Sequence, residues 1–154
     1  MDPSRSLQDQ FSPKSRCFGC GPANERGLRI KSFVRGDEVV ARFTPEEHHQ
    51  AFEGMLNGGI IGALLDCHGN WTAAYTLMRR DGSETPPCTV TAEFAVTLAA
   101  PTPLAEVRLV ARPAEIGKRK VVVDAELWSG DRRTATCRGI FVAVREDHPA
   151  YHRW

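Results

Sequence analysis

The segment from Asn57 to about Arg80 constrains the fold of this chain more than any other. Its core-type side chains recur at helical spacing, at Ile61, Leu64, Leu65, His68, Thr72 and Tyr75. Asn57 is a favourable N-cap residue, and Gly82 suits a C-terminal stop. Several glycines make this predicted helix thin, and each interior glycine costs up to ~1 kcal/mol relative to alanine. We therefore expect a sheet or a second helix to lie close against it.

The flanking sequence predicts β-strands. Residues 28–43 indicate a hairpin around the turn Arg35-Gly36-Asp37, and residues 89–98 alternate strictly between the two faces of a strand. Further strands are expected near residues 106–111, 120–128 and 134–144, with a tight turn at 129–131. Two strands, one long helix and four antiparallel strands predict an α+β fold. In it, an antiparallel sheet of about six strands wraps around one long central helix.

A length of 154 residues fits a single domain. We expect a flexible N-terminal arm over residues 1–16, the folded domain over residues 17–146 and a C-terminal tail over residues 147–154. Tyr151 and Trp154 are the residues of that tail that could dock on a surface.

Charge and cysteine usage limit the function classes. A formal net charge of +1 gives no overall attraction to nucleic acid or to an anionic membrane. No stretch approaches the ~18 apolar residues that a membrane span needs, and the first sixteen residues do not resemble a secretory signal. An odd count of 5 cysteines favours reduced thiols, so we expect a cytoplasmic protein.

Three segments, in this order and spacing, resemble the phenylacetate-type (PaaI-like) superfamily of hotdog-fold acyl-CoA thioesterases. They are residues 17–28 (CFGCGPANERGL), residues 49–59 (HQAFEGMLNGG) and residues 91–94 (TAEF) with Pro101 following, and the resemblance spans about residues 17–145. It implies a hotdog fold and hydrolysis of an acyl-CoA or related thioester to a carboxylic acid and a free thiol. No cofactor is expected.

Asp66 is the leading catalytic candidate. Its carboxylate interrupts the apolar run Ile60–Leu65, where an acid is costly to bury unless it is paired or functional. It also stands where the resembled family has its catalytic acid, which implies a role as nucleophile or as general base for water. The alternative is a structural acid on the exposed side of the helix.

Gly58 and Gly59 open the predicted helix, so their N–H groups lack intrahelical partners and could bind a thioester oxyanion. Their alternative role is close packing.

Asn57 replaces the histidine usual in the resembled family, and it either caps the helix or alters the chemistry. Thr91 could orient an attacking water or be an ordinary strand residue. Strict alternation directs Thr91 away from the face of Phe94, so a site there needs a bulge or a partner subunit.

Two further clusters contain side chains that could bind a ligand. Cys17 and Cys20 have the Cys-x-x-Cys spacing of half a zinc site, but no second pair follows, so we expect two partly buried thiols and no metal. Lys118, Arg119 and Lys120 could bind the phosphates of CoA, or they could be solvated charges at a strand end.

Along one helix, Gly58 and Asp66 lie roughly 12 Å apart, too far for both to contact one carbonyl. Either Gly58 is not the oxyanion donor, or the Gly58 of a second chain approaches Asp66. We expect the second arrangement, a site shared by two chains in a homodimer or a dimer of dimers. A non-catalytic hotdog protein that binds an acyl-CoA or aromatic ligand is the alternative, and the departure at Asn57 keeps it open. A hydratase is less favoured, because Asp66 and His68 do not share a helix face.

Overall fold

The computed structural model describes residues 1–151 of the chain; residues 152–154, which include Trp154 of the predicted tail, lie outside the described range. Eight strands and two α-helices make up the domain. In chain order they are α1 (Leu7–Phe11), β1 (Lys31–Arg35), β2 (Glu38–Phe43), β3 (Gln50–Phe52), β4 (Met55–Leu56), α2 (Gly58–Asp81), β5 (Thr89–Leu98), β6 (Val107–Ile116), β7 (Lys120–Ser129) and β8 (Arg132–Ala143). A single turn of 3-10 helix, Glu47–His49, precedes β3.

Six of the strands form one antiparallel sheet in the order β1-β2-β6-β7-β8-β5, with α2 packed against it. The predicted α+β hotdog fold is thereby confirmed. The strands β3 and β4 form a separate small hairpin that the sequence pattern did not predict, and its turn has Gly54 at a φ of 77°. This hairpin leads the chain directly into α2. None of the helices in residues 1–151 is long and apolar enough to cross a membrane.

The helix α2 has the caps that the sequence predicted. Asn57 is its N-cap, and Gly82 ends it in the left-handed conformation with a φ of 63°. At Gly69 the packing requires a residue without a side chain, because an added Cβ would lie 2.8 Å from the ring of Phe141. Because Phe141 on β8 is almost completely buried, the ring cannot move aside cheaply. Glycine at this position therefore lets the helix backbone lie close against the sheet.

A β-bulge in β5 changes which side chains face the helix. Thr91 lies opposite Phe141 of β8, whereas Glu93 lies opposite Ile140, so Ala92 is an extra residue in the ladder. The strict alternation expected for this strand is wrong at that point. Thr91 and Phe94 consequently lie on the same face, towards α2.

The N-terminal segment differs from the flexible arm that the sequence predicted over residues 1–16. Residues Leu7–Phe11 form the helix α1, capped by Ser6, and the side chains of Leu7 and Gln8 are buried. The Gln8 amide binds β1 twice: Oε1 accepts from the backbone N–H of Ser32 at 2.8 Å, and Nε2 donates to Ser32 Oγ at 2.9 Å. This segment is part of the folded domain because it satisfies buried polar groups of the sheet.

The same network continues to a buried histidine on α2. Ser32 Oγ lies 2.9 Å from His68 Nδ1, and His68 Nε2 lies 2.9 Å from the carbonyl oxygen of Val39. A carbonyl only accepts, so Nε2 carries the proton and Nδ1 accepts from the Ser32 hydroxyl. Burial lowers the pKa of His68 to about 4, although the bond to Val39 opposes this shift. His68 is thus a neutral structural link between the first two strands and α2.

This depressed pKa predicts acid sensitivity. An unfolded chain takes up a proton at His68 near pH 6.5, but the folded chain does not until the pH is about 4. The free energy of unfolding should therefore fall as the pH drops from about 6.5 to 4, by on the order of 3 kcal/mol from this residue. Urea unfolding of the wild type and of His68→Gln across this range measures it, since glutamine does not titrate. A wild-type His68 imidazole that titrates near pH 6.5 in NMR spectra would contradict the assignment.

Candidate active site

Asp66 and Thr91 meet between the helix and the edge strand β5. Thr91 Oγ1 donates a hydrogen bond to Asp66 Oδ1 at 2.6 Å. The bulge at Ala92 makes this contact possible, because it leaves Thr91 on the face of the strand that looks towards α2. The carboxylate of Asp66 is only half-buried, so one oxygen can be held by the protein while a substrate reaches the group.

An open groove of about 500 Å³ runs from the start of α2 to Asp66. One wall is a helix stripe of small residues that ends at Asp66, and the other is an apolar face of β5. The lining residues are Gly58, Gly59, Gly62, Ala63, Asp66, Phe94, Val96 and Leu98. Phe94 and Leu98 are 45% and 53% exposed, which is high for large apolar side chains. The groove therefore offers an apolar surface beside a carboxylate.

The amides at the start of α2 are not equivalent. Asn57 Oδ1 accepts from the N–H of Gly59 at 2.8 Å and from that of Ile60 at 3.2 Å. Asn57 thus caps the helix, as its position predicted, and it occupies the Gly59 donor that the sequence suggested for an oxyanion. Gly58 is the first helical residue, and its N–H has no intrahelical carbonyl to bind. Of the two predicted glycine donors, Gly58 is the better placed.

The three predicted phosphate-binding cations lie away from this groove, at the turn between β6 and β7. Arg119 donates to the carbonyl oxygen of Ala143, which holds the end of β8. Lys118 and Lys120 are exposed. Arg80, in the last turn of α2, donates to the carbonyl of Lys118 at 2.9 Å, so the turn lies beside the C-terminal end of the helix. Fourteen residues of helix, about 21 Å, separate Arg80 from Asp66.

The fold gathers three cysteines on the other side of α2. The sulfur atoms of Cys17, Cys20 and Cys67 all lie within 4.8 Å of one another. Cys67 follows Asp66 in the chain but faces the N-terminal segment instead of the groove. Sequence spacing identified the Cys17–Cys20 pair and missed the third thiol, because Cys67 joins them only through tertiary packing.

The sequence analysis did not predict several of the residues that line the groove. Gly62 and Ala63 were interpreted only as parts of a thin helix, although they follow Gly58 and Gly59 at a spacing of four and belong to the stripe that ends at Asp66. Val96 and Leu98 were visible as alternating strand residues. Their position across the groove from the small-residue stripe of α2, with Leu98 against Gly58, depends on how β5 packs against the helix, which the strand sequence does not show.

The family model of the thioesterase superfamily matches residues 53–136. A search of curated proteins found no match. Among solved structures, a thioesterase superfamily protein from Shewanella loihica is 33% identical, with a TM-score of 0.66, and the match covers 80% of this chain and 98% of that one.

Two further structures are similar. A conserved protein from Pseudomonas aeruginosa is 25% identical, with a TM-score of 0.64 and coverage of 76% of this chain and 90% of that one. The PaaI protein of the Escherichia coli phenylacetic acid degradation operon is 16% identical, with a TM-score of 0.64 and coverage of 77% and 81%. At 16% identity, the similarity to the PaaI protein shows a shared fold alone.

The Asn57 cap generates a stability prediction. Asn57→Ala removes the acceptor of two helix N–H groups and should lower the free energy of unfolding by about 1 kcal/mol. Asn57→Asp, which keeps the accepting oxygen, is the matched control and should unfold near the wild-type denaturant midpoint. Equal stability of wild type and Asn57→Ala in urea titrations would show that the two hydrogen bonds do not support the helix.

Proposed function

The chain belongs to the thioesterase superfamily, and from that premise we propose that it hydrolyses an acyl-CoA thioester with Asp66 as the catalytic carboxylate. The observation that carries the proposal is the half-buried Asp66 at one end of an apolar groove, with one oxygen held by Thr91 at 2.6 Å. A ligand-binding protein without catalysis would not need a carboxylate oriented in this way, so the non-catalytic alternative is not favoured.

Two routes use this geometry. As a nucleophile, a carboxylate oxygen of Asp66 attacks the thioester carbonyl, the C–S bond breaks and a thiolate leaves; water then hydrolyses the resulting anhydride. As a general base, Asp66 takes a proton from water while the water oxygen attacks the same carbon; the C–S bond then breaks, and the leaving thiolate takes up the proton. Both routes release a carboxylic acid and a free thiol. In both, the Thr91 hydroxyl orients the carboxylate through its bond to Oδ1.

The groove and the surface charges support the acyl-CoA class. Phe94, Val96 and Leu98 form an apolar wall suited to an acyl group. Lys118 and Lys120 are exposed cations on the turn beside Arg80, which lies about 21 Å from Asp66 along the helix, and they could bind the nucleotide phosphates of an extended substrate. Arg119 has a smaller part in this proposal, because its guanidinium is already bound to Ala143.

We also propose that the working unit is at least a homodimer. Within residues 1–151, β5 pairs with β8 on one side and with no strand on the other, so it is an edge strand of 10 residues. A long, exposed edge is a template for pairing with another strand. Phe94 and Leu98 on this strand are exposed in the single chain, and a second copy would bury them. A dimer of dimers is the larger assembly that the family resemblance implies.

A two-fold axis near Gly62 would complete the site. Gly58 and Asp66 of one chain are about 12 Å apart, so a Gly58 amide that binds the oxyanion beside Asp66 would have to come from a partner. Antiparallel α2 helices from two copies bring these residues together if they cross halfway between them, at Gly62. The absence of a side chain there would allow close approach. In this arrangement the active site combines Asp66 and Thr91 of one chain with Gly58 of the other.

Removing the carboxylate tests the chemistry. Asp66→Asn should lower kcat/KM for thioester hydrolysis at least ~100-fold, because it removes the nucleophile or base. Thr91→Val, which loses the hydrogen bond to Asp66, should also lower kcat, whereas Thr91→Ser retains the hydroxyl and should be the more active of the two. Thiol release from a panel of acyl-CoAs, followed with a thiol-reactive dye, measures these rates.

Circular dichroism provides the control for folding in this series. An Asp66→Asn protein with a wild-type spectrum and turnover within about twofold of wild type would overturn the catalytic assignment. Equal rates for Thr91→Val and Thr91→Ser would instead show that the hydroxyl is not used.

The shared site predicts complementation between two inactive variants. Asp66→Asn removes the carboxylate, and Gly58→Val places a branched side chain beside the amide proposed to bind the oxyanion of the partner's site. In a mixed dimer, one of the two sites contains both an intact Asp66 and an intact Gly58 of the partner. Mixing the folded variants should therefore restore measurable thiol release.

The test requires proof of subunit exchange, which differently tagged chains and co-purification provide. A mixture that exchanges subunits but stays inactive would exclude the two-chain site. A monomeric wild type in sedimentation experiments would exclude the dimer itself.

A further inference from the structure

A thiol cluster lies outside the groove and has no part in the proposed hydrolysis. Cys17 and Cys20 come from the N-terminal segment, and Cys67 comes from α2. All three are free thiols; Cys20 and Cys67 are buried, and Cys17 is half-buried. We propose that these three residues form a metal site that binds one Zn²⁺ per chain through three thiolates.

The spacing of the sulfur atoms fits this ion. Cys17 Sγ and Cys67 Sγ are 3.8 Å apart, and no pair in the cluster exceeds 4.8 Å. A tetrahedral zinc site with Zn–S bonds of about 2.3 Å places its sulfurs about 3.8 Å apart. One edge of the triangle already has this length, and the other two need to shorten by at most about 1 Å.

The surrounding chain is shaped to bring the sulfurs together. An added Cβ at Gly19 would lie 2.4 Å from Cys67 Sγ, and one at Gly21 would lie 2.4 Å from the backbone nitrogen of Cys17. Only glycines allow the Cys17–Cys20 turn to close this tightly against α2. The turn is further fixed by the N–H of Gly21, which donates to the carbonyl oxygen of Cys17 at 2.8 Å.

A hydrogen bond from outside the cluster reaches one of its sulfur atoms. The indole N–H of Trp71 donates to Cys20 Sγ at 3.3 Å, which is the kind of outer contact that orients a metal-bound thiolate. On binding, each thiol that is still protonated releases its proton to solvent, and no oxidation takes place.

The fourth position would be filled by a small external donor such as water. Among the described residues, the cluster contains three ligand groups and no fourth. Solvent reaches it from the side of Cys17, the half-buried member. The ion would clamp the N-terminal segment onto α2 one residue beyond Asp66. Its role would therefore be to fix the helix that carries the carboxylate, without contact to substrate.

Metal content tests the site directly. Full-length protein is reduced, loaded with Zn²⁺, passed through gel filtration and analysed by elemental mass spectrometry. We expect about one Zn²⁺ per chain in the wild type and in the control Cys88→Ser, which changes a buried cysteine elsewhere. Cys67→Ser and Cys17→Ser should each lose the ion. Cys17, being half-buried, offers a variant that folds if Cys67→Ser does not.

Two further measurements test whether these three cysteines bind the metal ion. Loading with Co²⁺ should give thiolate-to-cobalt charge-transfer absorption in the wild type and Cys88→Ser only, and a chelator should lower the melting temperature of these two proteins alone. A wild type that retains no zinc, or a Cys67→Ser protein that retains as much, would overturn the proposal. Three reactive thiols in the unfolded, unreduced protein instead of five would indicate a disulfide and would also overturn it.

Discussion

The close contact between α2 and the sheet is the constraint on which the rest of the molecule depends. At Gly69 the helix backbone lies against the ring of Phe141, and a Cβ on either Gly69 or Gly139 would come within 3 Å of that ring. This contact sets the distance between α2 and β8. It thereby sets how near Asp66, one turn earlier in the helix, lies to Thr91, which pairs with Phe141 across the ladder. The candidate site follows from the same packing that closes the core.

Buried polar groups define the other side of the helix. His68 links α2 to β1 and β2 through Ser32 and Val39, and Gln8 completes the network from α1. Each of these groups would be costly to bury without its partner. They therefore explain why a short N-terminal helix is part of the domain. Asp66 faces the groove and His68 faces the first strands. One side of α2 therefore carries the candidate catalytic carboxylate, and the other carries structural hydrogen bonds.

Much of the fold was predictable because it depends on local patterns. The helix period, the Asn57 cap and the Gly82 stop are properties of neighbouring residues, and each was found where expected. The chain order of the six sheet strands around α2 was also as expected, whereas the additional hairpin of β3 and β4 was not. The bulge at Ala92 and the helix over Leu7–Phe11 were not predictable in this way. The first depends on the pairing of β5 with β8, and the second is stabilised by Ser32, which lies 24 residues away from Gln8.

The sequence by itself determined that Asp66 stands on a thin helix between two groups of antiparallel strands, since a carboxylate in an apolar helical run is visible in the residue order alone. Only the tertiary structure decided which hydroxyl holds that carboxylate and which thiol joins Cys17 and Cys20. The physical reason is that both contacts join residues at least 25 positions apart. Such contacts arise from strand register and from helix rotation against the sheet, which no local pattern encodes.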